Sequence, residues 1–275
     1  MSDTPPLSPP DFPSSTAGRP GGPAGGPFVP DARIVPARHG WQWLVQGWEL
    51  FKAQPLAWWL VLLIGWAVFV ALSMIPLVNV LAAVGSPVLM AGWGSCARSA
   101  MRDGQFDITQ VFDGCRRRPG QLLLAGLLYL ALIVAAVVLA ATMFGGTEFL
   151  GAISHVNVYD PEELRTALGA SLGFFLVAAV LISCIVATIV YAPYLIQEYD
   201  VSAMQAMVLS LKASLRNMPA GGVWFLAYFG LAILASIPFA LGWVVLGPVA
   251  IISIYTSYRD IFVAPQEAAV RNATA

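Results

Sequence analysis

Charge is what this sequence has least of: 11% of its 275 residues are Asp, Glu, Lys or Arg, against 58% apolar side chains. Water-soluble domains carry about 25% charge, so the composition excludes a soluble globular fold for the chain as a whole. Cysteine is also scarce, with three scattered residues, which excludes a disulfide-stapled secreted module. The net charge of −1 lacks the basic excess of a nucleic-acid binder, and no nucleic-acid partner is expected. His39 and His155 are the two histidines, and neither H-E-x-x-H nor C-x-x-C spacing occurs, so no metal or other cofactor is expected. A signal peptide is not expected either, because the opening residues have neither a basic start nor a continuous apolar run.

Long apolar runs take the place of charge. Residues 53–97 (45 residues), 119–147 (29), 166–197 (32) and 217–258 (42) contain no Asp, Glu, Lys or Arg, and each exceeds the roughly 20 residues a helix needs to cross a bilayer. The first and last runs are long enough for two helices, and each has a proline near its midpoint, Pro76 and Pro238. Proline removes a backbone donor and disfavours helix at the residue before it, so each of these runs reads as a hairpin.

The expected fold class is all-α: a polytopic membrane protein with six transmembrane helices as three hairpins, each preceded by a cytoplasmic interfacial amphipathic helix. The spans fall at about 56–75, 77–97, 120–144, 167–192, 220–237 and 239–258. Residues 1–35 are expected to be a disordered Pro/Gly-rich cytoplasmic tail, with nine prolines and five glycines in the first thirty positions. Residues 36–263 form the membrane domain and 264–275 a short cytoplasmic tail. A short hairpin that dips in and returns would leave both termini on the same side.

Orientation follows from the basic residues, which are retained on the cytoplasmic side. Six spans put thirteen of the fourteen Lys and Arg on one side and only Arg165 on the other. Both termini are therefore expected in the cytoplasm, and the 145–166 loop outside. There Asp160-Pro161-Glu162-Glu163 combines an N-cap, a proline at the first helical position and a capping-box glutamate, which predicts a helix start.

A motif recurs three times on the cytoplasmic side: Lys52-x-x-Pro55, Arg116-x-x-Pro119 and Arg216-x-x-Pro219. Each follows an amphipathic stretch at helical spacing: Trp41, Leu44, Val45, Trp48 and Phe51; Ile108, Val111, Phe112 and Cys115; Met204, Met207, Val208, Leu211 and Leu215. Asp107-x-x-Gln110 and Ser202-x-x-Gln205 read as capping boxes. Later in each unit a small residue precedes a proline, in Ser86-Pro87, Ala192-Pro193 and Gly247-Pro248, and Arg98 and Arg259 each follow their proline by eleven residues. One supersecondary unit used three times explains the agreement.

The segment VPARHGWQWLVQGWELF at residues 35–51, followed by Lys52, Pro55 and the six expected spans, resembles a family of uncharacterised proteobacterial multi-pass inner-membrane proteins over roughly residues 35–263. More distantly, the repeated interfacial helix and hairpin is similar to the membrane domain of some glycerophosphodiester phosphodiesterases, whose catalytic domain has no counterpart here. The resemblance implies a bacterial inner (cytoplasmic) membrane and a six-helix fold. It carries no activity and no site residues.

No enzyme is expected. None of the six predicted spans contains Asp, Glu, Lys, Arg or His, whereas intramembrane ionisable groups mark proton relays and charged-substrate paths. Gly92-Trp93-Gly94-Ser95 lacks the strand-to-helix elbow and the base a serine nucleophile needs. Cys96, Cys115 and Cys184 read as small apolar packing residues.

Arg116, Arg117 and Arg118, with Lys52 and Arg216, are the expected contacts for anionic lipid headgroups. Trp41, Trp43, Trp48, Trp58 and Trp59 are expected as interfacial anchors. Gly169 and Gly173, spaced by four, permit close helix approach within one chain or to a homo-oligomer or membrane-protein partner. Two functions remain open: a non-catalytic organiser of lipid or partner proteins, or a transporter or channel for lipid or a weakly polar solute. The second would place its cavity at helix breaks around Pro87, Pro193 and Pro248, with Tyr191, Tyr194, Tyr255 and Tyr258 either lining it or belonging to the aromatic belt.

Overall fold

The computed structural model describes residues 28–73, 78–104, 106–143, 160–237 and 242–263. The chain is all-helical: among the described residues the strand-like pairing is an isolated bridge between Phe28 and Val263. In chain order the elements are α1 (His39–Ala53), α2 (Pro55–Ser73), α3 (Val78–Asp103), a 3-10 turn (Ile108–Phe112) leading into one-turn α4 (Asp113–Arg116), and α5 (Pro119–Met143). They continue with α6 (Pro161–Ile189), α7 (Ala192–Tyr199), α8 (Ala203–Arg216), α9 (Met218–Ser236) and α10 (Trp243–Phe262).

Local chemistry sets the helix starts. Pro55, Pro119 and Pro161 open their helices, where the missing N–H would have no intrahelical partner. Asp160 accepts hydrogen bonds from the N–H groups of Glu162 (2.9 Å) and Glu163 (3.3 Å). Ser202 accepts from the Gln205 N–H (3.4 Å) and donates to Gln205 Oε1 (3.0 Å). The second amphipathic stretch departs from expectation, because it is a 3-10 turn and a single α-turn rather than a helix. Asp107 accepts from both the N–H and the hydroxyl of Thr109, an interaction that tightens the first turn, and Gly114 is a poor helix former. Those bonds favour the ionised form and hold the Asp107 carboxyl below its ordinary value.

Among the described residues three stretches are long and apolar enough to cross a membrane: Pro119–Ala140, Leu172–Tyr199 and Met218–Ser236. The α1–α2 pair becomes a fourth if it is taken as one span bent by 101° at Gln54. The second of these stretches extends past the boundary expected at residue 192. The chain pauses at Val190 and Tyr191, where Pro193 breaks the helix, and resumes as α7 to Tyr199.

The three motif-bearing segments and the helices they pack on form a ring. The 3-10 turn and α4 lie along α3, with Gly92 against Val111 and Gly114 against Val88. Next, α8 lies on the α6 end, where Ser210 donates to Ala187 O (2.8 Å) and accepts from the Tyr191 N–H (3.1 Å). Finally, α1 packs on α9 and α10. Gly40 meets the backbone of Ala220 and Trp224, and Gly47 meets Val249 O and Ser253. The second and third amphipathic segments thus pack on helices that precede them in the chain, and the first closes onto the last two helices. Counted from the small-residue prolines, Val88 and Gly92 occupy the same places as Val249 and Ser253, so two of the three joints use equivalent positions.

The boundary expected at residue 35 falls inside a docked segment. The Val29 N–H donates to Phe262 O (2.9 Å) and the Arg33 N–H to Ile261 O (2.8 Å). Buried Asn217 accepts from the Val35 N–H (2.9 Å) and donates to Arg33 O (3.0 Å). Phe28 stacks on Tyr199, ring centroids 4.0 Å apart. Residues 28–35 therefore strap the ends of α7, α9 and α10 together.

Candidate functional site: a buried charge cluster where three helices meet

The side chains of α3, α7 and α10 converge on one polar cluster. Glu198 of α7 is at its centre, its side chain 2% exposed. Its Oε1 accepts a hydrogen bond from Tyr255 (3.0 Å), its Oε2 from Tyr258 (3.2 Å), and Arg98 Nη1 lies 3.6 Å from Oε1. A 3.6 Å approach is an ion-pair distance, longer than a good hydrogen bond. Arg98 Nη2 donates to Ser95 Oγ (3.2 Å), which also accepts from Gln197 Nε2 (2.5 Å). Arg98 also faces Asp113 at 3.8 Å, and Asp113 faces exposed Arg117 at the same distance. Charges of alternating sign therefore lead from the buried carboxylate to the surface.

Close packing puts the cluster there. Gly94 lets the Tyr194 ring approach α3, since a Cβ at this position would stand 2.6 Å from it. The ring of Tyr194 lies 5.5 Å from Tyr255 and 5.1 Å from Tyr258 between centroids, and Tyr258 lies 5.6 Å from Phe262. These aromatic groups fill the space between the three helices. They exclude water from a carboxylate and a guanidinium that must then be satisfied by each other and by hydroxyls.

The expected tyrosines thus face inward: Tyr191, Tyr194, Tyr255 and Tyr258 are all buried. Of the three expected helix breaks, Pro193 stands at one, while Pro87 and Pro248 lie inside continuous helices. Both helices run on through their prolines, since an interior proline removes one intrahelical hydrogen bond and bends a helix without having to end it. The basic residues are spread over the surface rather than gathered in one site. Lys52 stands 5.6 Å from the centre of the Trp48 ring. Arg116 is exposed. Arg118 approaches Asp200 (3.7 Å), and Arg216 donates to Asp31 O. Of the expected anchors, Trp41, Trp48 and Trp59 are exposed while Trp43 and Trp58 are buried.

Asp260 accepts from His39 Nδ1 (2.6 Å) and Trp43 Nε1 (2.8 Å), which fixes α1 to the end of α10. His155 lies outside the described residues. Among the described residues no group of three His, Cys, Asp or Glu converges as a metal site, and Ser95 is a helical residue engaged with Arg98 and Gln197.

Sequence reasoning missed Glu198 and Arg98, and with them a buried ion pair. The signal was present: Arg98, Glu198 and Arg259 are the residues that end three of the four charge-free runs, and all three sit at the same end of the bundle. Arg259 reaches Met101 Sδ of α3 at 3.3 Å. No family model, curated protein or solved structure matches the chain.

Proposed function

We propose that this is a non-catalytic integral membrane protein of the bacterial inner membrane that organises lipid or partner proteins around a ring of three hairpins. The carrying observation is the outer face of the interfacial segments. Each buries one face against the bundle and still leaves large apolar residues outward: Trp41 and Trp48 on α1, Phe112 in the 3-10 turn, and Met204, Val208 and Leu215 on α8. Lys52, Arg116, Arg117, Arg118 and Arg216 interleave with them. Apolar groups beside basic ones suit the boundary between acyl chains and anionic headgroups.

In this reading the six spans place both termini in the cytoplasm, and the resemblance of residues 35–51 to proteobacterial inner-membrane proteins points the same way. A single cysteine at Ser154, in a chain without other cysteines, is expected to react with a membrane-impermeant maleimide added outside intact cells. Reaction only after lysis would overturn the orientation.

Each basic residue near an anionic surface contributes ~1 kcal/mol. Arg117 and Arg118 are already drawn to Asp113 and Asp200, so the arginine run contributes roughly 1–2 kcal/mol rather than three full increments. The test is extraction into native nanodiscs and mass spectrometry of the lipids and proteins retained. Changing Arg116, Arg117 and Arg118 together to alanine is expected to remove most of the anionic-lipid enrichment around the chain, or a stoichiometric protein partner. Unchanged enrichment and no partner would sink the proposal.

A second reading, a transporter or channel for lipid or a weakly polar solute, is favoured by the Glu198–Arg98 pair, since buried charge in a membrane protein commonly marks a pathway. Its signature is a small solute that co-purifies with the native chain, is lost in Glu198→Gln, and is indifferent to the arginine run.

A further inference from the structure

We propose that the groove between α1 and the α9–α10 pair is a binding site for one phospholipid, its acyl chain in the groove and its phosphate at Lys52. This site deepens the lipid-organising reading and rests on it. The groove has a volume of about 410 Å³ and is lined wholly by apolar side chains, among them Trp41, Val45, Trp48, Leu231, Val245 and Val249.

Two tight contacts define it. Gly47 seats α1 directly on the backbone of α10 at Val249 and Ser253, and Gly242 seats the start of α10 against Ala235 of α9. Between these joints the helices stand apart, and the larger side chains of α1 cover the gap from one side only, Trp41 and Trp48 remaining about half exposed.

A channel without polar lining has nothing to offer water, and apolar surface of this kind marks a membrane or ligand contact. Here α9 is itself apolar enough to span a membrane, so the medium along the groove is acyl chain. One charge selects the headgroup. The Lys52 ammonium stands 5.6 Å from the centre of the Trp48 ring, one turn along α1, held at the rim by the face of the indole. A long basic side chain in that place extends toward the interface, and an anionic phosphodiester complements it.

The experiment uses the full chain reconstituted in nanodiscs of phosphatidylcholine and phosphatidylglycerol (3:1), released into detergent and analysed by native mass spectrometry. The native chain is expected to retain one phospholipid. Val245→Trp and, independently, Val45→Phe place bulk in the groove from opposite walls at partly exposed positions, and each is expected to lower occupancy at least fivefold with the melting temperature preserved. Lys52→Gln is expected to keep the lipid but reduce the preference for phosphatidylglycerol about fivefold, the equivalent of ~1 kcal/mol. Retention of the lipid by both filled variants, or an unaltered headgroup preference in Lys52→Gln, overturns the site. The arginine-run variant separates the two readings: it is expected to keep the groove lipid while losing the surrounding anionic enrichment.

Discussion

Glu198→Ala is expected to lower the stability of the folded chain by about 3 kcal/mol, because it takes the Glu198 carboxylate from buried Arg98 and leaves it facing Asp113 at 3.8 Å. The loss is large against the 5–15 kcal/mol that holds a typical domain together, and a thermal scan of tryptophan fluorescence in detergent will register it as a melting temperature many degrees lower. Two hydroxyls lose their acceptor as well, since Tyr255 and Tyr258 both donate to Glu198. Glu198→Gln keeps one acceptor oxygen and the side-chain volume, and its cost should be smaller. Replacing the pair together, Glu198→Leu with Arg98→Met, is expected to recover much of the loss, since a buried ion pair is often matched by apolar residues of similar volume. If Glu198→Ala melts with the native chain, the cluster does not hold the three helices together.

Glycine substitutions should divide into two groups according to what a methyl group would meet. A Cβ at Gly92 would overlap the backbone carbonyl of Val111, one at Gly114 that of Val88, and one at Gly40 that of Ala220. Backbone has no rotamer by which to move aside, so each alanine change must push neighbouring segments away from each other, at about 1–3 kcal/mol. By contrast, Gly230 in the middle of α9 has nothing within 4 Å of its would-be Cβ. There alanine is expected to be neutral or to stabilise by up to about 1 kcal/mol through helix propensity. Melting temperatures of Gly92→Ala, Gly40→Ala and Gly230→Ala measured side by side decide it. Equal behaviour of all three would remove the close joints as the basis of the ring.

Much of this architecture was legible because proline, capping residues and charge-free runs act locally. Asp160-Pro161 starts α6 and Ser202 with Gln205 starts α8 as their sequences prescribe. The ring was not legible. The amphipathic spacing of α1 says that one face is buried, but it contains nothing about the partner being α9 and α10, almost two hundred residues on. The same limit applies to the site. Arg98 and Glu198 were read as the ends of apolar runs, where charge is cheap, and the packing of α7 against α3 and α10, which buries Glu198, lies far off in sequence. The middle interfacial segment has the apolar pattern of a helix, yet the hydrogen bonds of Asp107 and the glycine at 114 shorten it to single turns.

The closure of the ring also has a consequence for biosynthesis. His39 and its partner Asp260 are separated by 221 positions, and ribosomes add about 5–20 residues per second. For roughly 10–45 s after α1 is made, its binding face of Gly40, Trp43, Leu44 and Gly47 has no native surface to occupy, while the second and third interfacial segments find theirs almost at once on helices just completed. The earliest of the described helices is thus the last to be seated, and its arrival from the nascent chain locks the assembly of the others.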